Sequence, residues 1–210
     1  MLDQATLDEL WLPDDAADSE ARLRVELEQG GPWNDSERAE LVTQLARSIG
    51  LQGRFDEAAS LLIEIDDSAT VVGVRVLLES GRVMSDSGHP DVAADLFRQA
   101  AEIAARAGLA FLEIDALHML AIVDVPGAED WTAKAVELAE ASSDDRTRRW
   151  LVSLHSNLGW QRLEVGDAGA ALVEFTEAAR WADAVGTDEQ RQWSAEAIAE
   201  CTAAIEAAEA

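Results

Sequence analysis

Apolar residues along this chain recur at helical spacing, and short polar or glycine-containing breaks separate the runs. The clearest run spans about 188–208 and puts Trp193, Ala197, Ile198, Cys201 and Ile205 on one stripe, the pattern of a helix with one buried face. Its start, Thr187-Asp188-Glu189-Gln190, reads as a capping box. A second run at 37–49 follows Pro32 and the capping cluster Asn34-Asp35-Ser36. Pro90, after Gly88-His89, falls at a first-turn position, with His89 expected as part of the cap. Val125-Pro126-Gly127 separates helices at 114–123 and 128–141, and Ser142-Ser143-Asp144-Asp145 caps a helix expected to run to 165. Segments 6–11 and 19–29, the second carrying Leu23, Val25 and Leu27, read as helices joined at Leu12-Pro13-Asp14. The chain is all-α on this reading.

A spaced element repeats within that pattern: a small residue, a Gly seven positions on, and an Ala five beyond the Gly. It occurs as Ala46, Gly53, Ala58; as Gly81, Gly88, Ala93; and as Gly159, Gly166, Ala171. Leu62, Phe97 and Phe175 follow four positions after each Ala. The Gly suits a helix end in left-handed conformation. The small residue lets a second helix cross closely, and the Ala sits where the two helices touch.

These registers resemble the tetratricopeptide repeat, most clearly over 45–62 and 157–178. The resemblance covers about 150 of 210 residues. The departures are specific. Val42, Leu77, His155, Ile49, Met84 and Arg162 fill slots where the family often has aromatics, and the Pro near each repeat end is missing. The resemblance implies a right-handed α-α superhelix, a solenoid of about four helical hairpins near 36–66, 69–106, 109–141 and 145–184. Residues 1–32 would cap one end or pack loosely, and 187–210 would close the other.

Composition supports helix and narrows the function. Apolar residues make up 48%, Pro numbers 4 and Tyr is absent; Ala is the least costly residue in a helix and Pro the most costly. No apolar run reaches the length of a spanning helix. The start, Met1-Leu2-Asp3-Gln4-Ala5, has no basic and apolar signal pattern, so a cytoplasmic protein is expected. Forty-two acids face sixteen bases, Lys134 being the one Lys, for a net charge of -26. A counterion-releasing basic stripe is missing, so neither nucleic acid nor an anionic membrane is an expected partner. The acids read as a solvated outer face or as adaptation to a salt-rich cytoplasm.

Candidate chemistry is sparse. Cys201 is the one cysteine, among alanines, and reads as a small packing residue. His89, His118 and His155 lack a third ligand at helical spacing, so no metal is expected. Asp14-Asp15-Ala16-Ala17-Asp18 lacks the Gly turn of a calcium loop, and Gly50-Leu51-Gln52-Gly53 lacks the Lys of a phosphate loop. Trp11, Trp33, Trp131, Trp150, Trp181 and Trp193 read as helix-packing residues, and Arg146, Arg148 and Arg149 as members of local salt bridges with Asp144 and Asp145. No nucleophile–base set is recognisable, so the chain reads as noncatalytic, without a cofactor.

The resemblance also implies a concave groove lined by successive first helices. Its inward positions would be Arg47, Thr43 and Glu40; Arg82, Leu78 and Arg75; Ile122, His118 and Asp115; and Trp160, Ser156 and Ser153, with Asn157 adjacent. Arg47, Arg75 and Arg82 would then converge at one end, and Asn157 and Trp160 lie at the other. Two readings stand at this point. The arginines are bridged to acids of their own chain, or their guanidiniums take a carboxylate bidentately. The second makes the chain an adaptor for an extended peptide or acidic segment, with a sensor of a small ligand or signalling peptide as the alternative. A self-associating scaffold, a homodimer through a groove or an array end, is the third.

Overall fold

The computed structural model describes residues 2, 4–12, 14–66 and 70–209. Pro13, at the expected joint between the first two helices, and residue 69, where the second repeat was expected to begin, lie outside them. Among the described residues every regular element is helical, and no helix is long and apolar enough to cross a membrane. The chain divides into two compact units, Met1–Glu129 and Asp130–Ala210.

The first unit contains α1 (Gln4–Leu10), α2 (Ala16–Gln29), α3 (Asp35–Gly50), α4 (Phe55–Ile63), α5 (Thr70–Asp86), α6 (Pro90–Ala107), α7 (Ala110–Val123) and a 3-10 turn, Val125–Gly127. Start signals act locally. Asn34 accepts from the Glu37 backbone N–H at 3.0 Å, and the Glu37 carboxylate accepts from Asn34 N–H at 3.1 Å, a complete capping box. Asp15 caps α2 through Asp18 N–H, and Pro90 opens α6. His89 occupies the cap position of α6 but makes no side-chain cap bond; its ring Nδ1 lies 3.3 Å from the Ser87 hydroxyl instead.

Stop signals follow the repeated Gly. Gly53 and Gly88 have φ of 75° and 89°. The next N–H in each case reaches back five residues, Arg54 to Ile49 O at 3.3 Å and His89 to Met84 O at 2.8 Å. This is the Schellman ending, which satisfies carbonyls that a helix terminus leaves open. It reverses the chain tightly, so each helix packs on the next: α3 on α4, α5 on α6, and α6 on α7. Packing of α3 on α5 and of α5 on α7 sets the first helices of successive hairpins side by side. Leu2, Leu7, Leu23 and Leu27 are buried in one cluster with Leu41, Leu45, Ile49 and Leu62. The N-terminal helices thus share the core of the first hairpin.

The second unit contains most of α8 (Ala128–Ala141), then α9 (Asp145–Arg148), α10 (Trp150–Glu164), α11 (Ala168–Val185) and α12 (Asp188–Glu209). Here α10 packs on α11 and α11 on α12. Gly166 has φ 83°, and Asp167 N–H reaches Arg162 O at 2.9 Å, the same ending as in the first unit. Thr187 and Gln190 exchange the two bonds of the expected capping box.

Two sequence expectations change in this unit. The helix expected from Asp144 to 165 is divided at Arg149, where Val152 N–H bonds to Arg149 O three residues back, a tightened 3-10 turn. Arg149 Nε donates to Val185 O at 3.0 Å, holding that turn to the end of α11. Trp193 is 53% exposed, whereas Ala197 and Cys201 are buried. The buried side of α12 runs along Ser194, Ala197 and Cys201, which leaves Trp193 at the edge of the stripe. The Cys201 thiol donates to Ala168 O at 3.2 Å, and burial pushes its pKa up.

Candidate functional site

Consecutive first helices of the first unit carry a row of charged side chains that are largely withdrawn from water. Glu40 on α3 takes Arg75 Nε of α5 at 3.2 Å. Further along the same pair of helices, Arg47 Nη1 lies 4.0 Å from Glu79 Oε1. Arg82 of α5 then divides its guanidinium. Nη1 donates to Glu79 at 2.6 Å within α5, and Nη2 to Asp115 of α7 at 2.5 Å. Arg47 also lies over the Trp11 ring, 5.2 Å from its centroid, a cation–π geometry. The row therefore reads Trp11, Arg47, Glu79, Arg82, Asp115, with His118 one turn beyond on α7.

Burial makes these contacts strong. Glu79 and Asp115 are 3% and 6% exposed, and Glu40 is fully buried. Burial works to raise the Asp115 carboxyl, but the guanidiniums of Arg82 and Arg47 outweigh it and hold it below its ordinary pKa. Burial likewise works against the charge on Arg82, while Asp115 and Glu79 hold its pKa above the ordinary value. For Arg47 the charge of Arg82 comes first and burial second, and both lower it. Two positive and two negative charges at Arg47, Arg82, Glu79 and Asp115 leave the row neutral.

His118 is pushed below its ordinary pKa, chiefly by burial; Asp115 opposes the shift, and Arg82 and Arg47 add to it. Folding therefore favours the neutral ring. The associated stability is present above about pH 6.5, the value in the unfolded chain, and is lost as pH falls from there through the lower folded value. Replacing His118 with Gln is expected to flatten the loss of stability between about pH 7.5 and 5.5, measured by urea unfolding at several pH values. An unchanged slope would place that titration elsewhere.

A cavity of about 200 Å³ opens beside the row, lined among others by Arg47, Leu51, Glu79, Arg82, Val83 and Met119. Not all expected groove positions are open to it or to solvent. Thr43 and Leu78 are buried. Glu40 is covered because the Leu2 backbone N–H donates to it at 3.2 Å, and Leu2 is itself buried. Ile122 is exposed.

Arg47, Arg75, Arg82 and His118 thus lie along one face of the first unit, all three arginines engaged with acids of their own chain. Asn157 and Trp160 belong to α10 of the second unit. Asn157 is exposed there, and Trp160, 37% exposed, meets Phe175 edge-on at 5.0 Å between centroids. His155, in the same helix, pairs with Glu174 at 2.8 Å. Of the Arg146–Arg149 cluster, Arg148 pairs with Asp145 at 3.3 Å and lies over Trp181.

Sequence reasoning missed Glu79, Leu51 and Met119, and it read Trp11 only as a packing residue. Glu79 stands three positions before Arg82, a spacing that permits a pair on one helix face. Nothing in the sequence marked Trp11 as a partner of Arg47.

No protein-family model and no curated protein sequence matches the chain. Solved structures do share its fold. The crystal structure of BtubC (BKLC) from P. vanneervenii has a TM-score of 0.64 at 18% identity, over 97% of this chain and 85% of that one. The apo form of the quorum sensor NprR from B. thuringiensis has a TM-score of 0.63 at 14% identity, over 92% of this chain. The match spans 56% of that sensor. The likeness establishes an all-helical, solenoid-type fold.

Proposed function

We propose that this chain is a noncatalytic tetratricopeptide-type binding module, and that the row of first helices α3, α5 and α7 receives an extended peptide. The observation that carries this reading is the buried ionic row beside an open cavity. Buried ion pairs are a poor device for stability, because apolar residues of similar volume serve as well or better. Their presence on a single face suits recognition instead, since they hold donors and acceptors rigidly where a ligand would lie.

The pairing changes the kind of ligand expected. An acidic peptide or chain-terminal carboxylate would have to displace Glu79 and Asp115 from Arg82. The net charge of -26 also repels an acidic partner at long range. A ligand recognised by hydrogen bonds and shape fits a neutral row better. Regulation by a bound signal is the second reading, favoured by the likeness to a quorum sensor whose apo form is known.

The test is selection of short random peptides on the full chain, followed by calorimetry. Leu51, at the cavity rim and 56% exposed, can be replaced with Trp with little expected effect on folding. Selected peptides are expected to lose at least about tenfold in affinity to Leu51→Trp, the loss typical of a residue central to a contact. Peptides that bind both chains equally, or no enrichment at all, would defeat the reading.

A further inference from the structure

We infer that the cavity bounded by Arg47 and Glu79 is a subsite for a carboxamide, the side-chain amide of an Asn or Gln in the bound peptide. The inference rests on the peptide-binding reading above and names what anchors the peptide.

Two atoms carry it. Arg47 Nε, a donor, and Glu79 Oε2, an acceptor, are both buried and have no hydrogen-bond partner within the protein. Both residues line the same cavity. Buried polar atoms are nearly always satisfied, and an orphan of either kind carries a desolvation cost. Here one donor and one acceptor are left unpaired on two residues of the same cavity wall. Their complement is a group that both accepts and donates. A carboxamide does so with its C=O toward Arg47 and its NH2 toward Glu79.

Charge and size narrow the choice. Arg47 and Arg82 are balanced around the cavity by Glu79 and Asp86, so neither a carboxylate nor an ammonium gains from a net field. A carboxylate would also meet the unpaired oxygen of Glu79, and an ammonium the unpaired N–H of Arg47. The volume, about 200 Å³, lies below the roughly 300–1,000 Å³ of ordinary small-molecule sites. It suits one side chain of a longer ligand. Leu51, Val83 and Met119 supply apolar contact for its methylene stem.

The experiment uses the full chain with three small probes of matched carbon skeleton: butyramide, butyrate and butylammonium. The readout is the Arg Nε–H region of the 15N–1H correlation spectrum. Butyramide is expected to shift the Arg47 Nε–H signal saturably, and the other two are not. Glu79→Gln, which replaces a carboxylate by an amide, is expected to weaken butyramide and admit butyrate. Arg47→Lys keeps the charge and removes the Nε–H; read from the backbone amides of Leu51 and Val83, which line the cavity in both chains, it is expected to abolish the butyramide response, so the inference stays testable if Glu79→Gln fails to fold. Equal responses to all three probes, or none to butyramide, would overturn it.

Peptides separate this inference from the reading beneath it. A Gln→Met exchange in a selected peptide is expected to lower affinity about tenfold or more, since it leaves both atoms unpaired again. Selected peptides that are sensitive to Leu51→Trp but indifferent to that exchange would end the carboxamide subsite and leave the peptide groove standing. A butyramide response without any selected peptide would end the groove and leave the subsite.

Discussion

Replacing Arg82 with methionine is expected to destabilise the protein by about 3–5 kcal/mol, the range for removing one partner of a buried ion pair. Arg82 supplies the shortest partner of both Glu79 and Asp115. Without it Asp115 loses its hydrogen-bonded guanidinium, and Glu79 keeps only Arg47 at 4.0 Å. The loss measures two stranded carboxylates rather than the net worth of the row. Changing Arg47, Arg82, Glu79 and Asp115 together to Met, Met, Leu and Leu is expected to recover most of it, because a well-packed apolar set can equal a buried ionic one. Urea unfolding of the two variants decides this. A small loss for Arg82→Met would mean that water reaches the row, and continued loss in the fourfold variant would mean that the row is stabilising in itself.

The second large effect concerns a single methyl group. At most mid-helix positions Gly→Ala gains about 0.5–1 kcal/mol. At Gly81 a Cβ would fall 2.4 Å from Cε1 of Phe97, which is fully buried between α5 and its neighbours. Overpacking of this kind typically costs about 1–3 kcal/mol, so the sign reverses and Gly81→Ala is expected to destabilise. Gly159 meets the Phe175 ring in the same way, at 2.5 Å. Gly169 is the internal control, with no atom nearer than 3.7 Å, and Gly169→Ala is expected to be neutral or mildly stabilising. Shortening the ring, as Gly81→Ala with Phe97→Leu, is expected to regain part of the loss. Stabilisation by Gly81→Ala alone would contradict the close helix approach.

Gly81 and Phe97 also show why the hairpins were legible in the sequence. A small residue, a Gly that ends the helix and a large apolar residue beyond the turn are all local demands, so their spacing survives as a pattern. Gly53, Gly88 and Gly166 all end their helices in left-handed conformation, as that spacing requires. The charged row was legible only in part. Its positions Arg47, Arg75, Arg82, Asp115 and His118 follow from helical register. Their pairing does not, because 42 acids in one chain offer every arginine several candidate partners. Distance alone chooses Glu40, Glu79 and Asp115 among them, and distance is a property of helix crossing. The Trp11–Arg47 stack was hidden for the same reason, since it joins segments 36 positions apart. The division at Arg149 was invisible because the residues around it are ordinary helix formers, and the turn is held by a bond to Val185 O that only the fold supplies.

The face of α3, α5 and α7 is proposed to receive an extended peptide. Backbone chemical-shift mapping of the full chain with the tightest selected peptide tests it most directly. The expected result is perturbation concentrated at Arg47, Leu51, Arg82, Val83 and Met119, around the cavity, with little change in α4 and α6. Perturbation centred on α4 and α6, or confined to Asp130–Ala210, would contradict it.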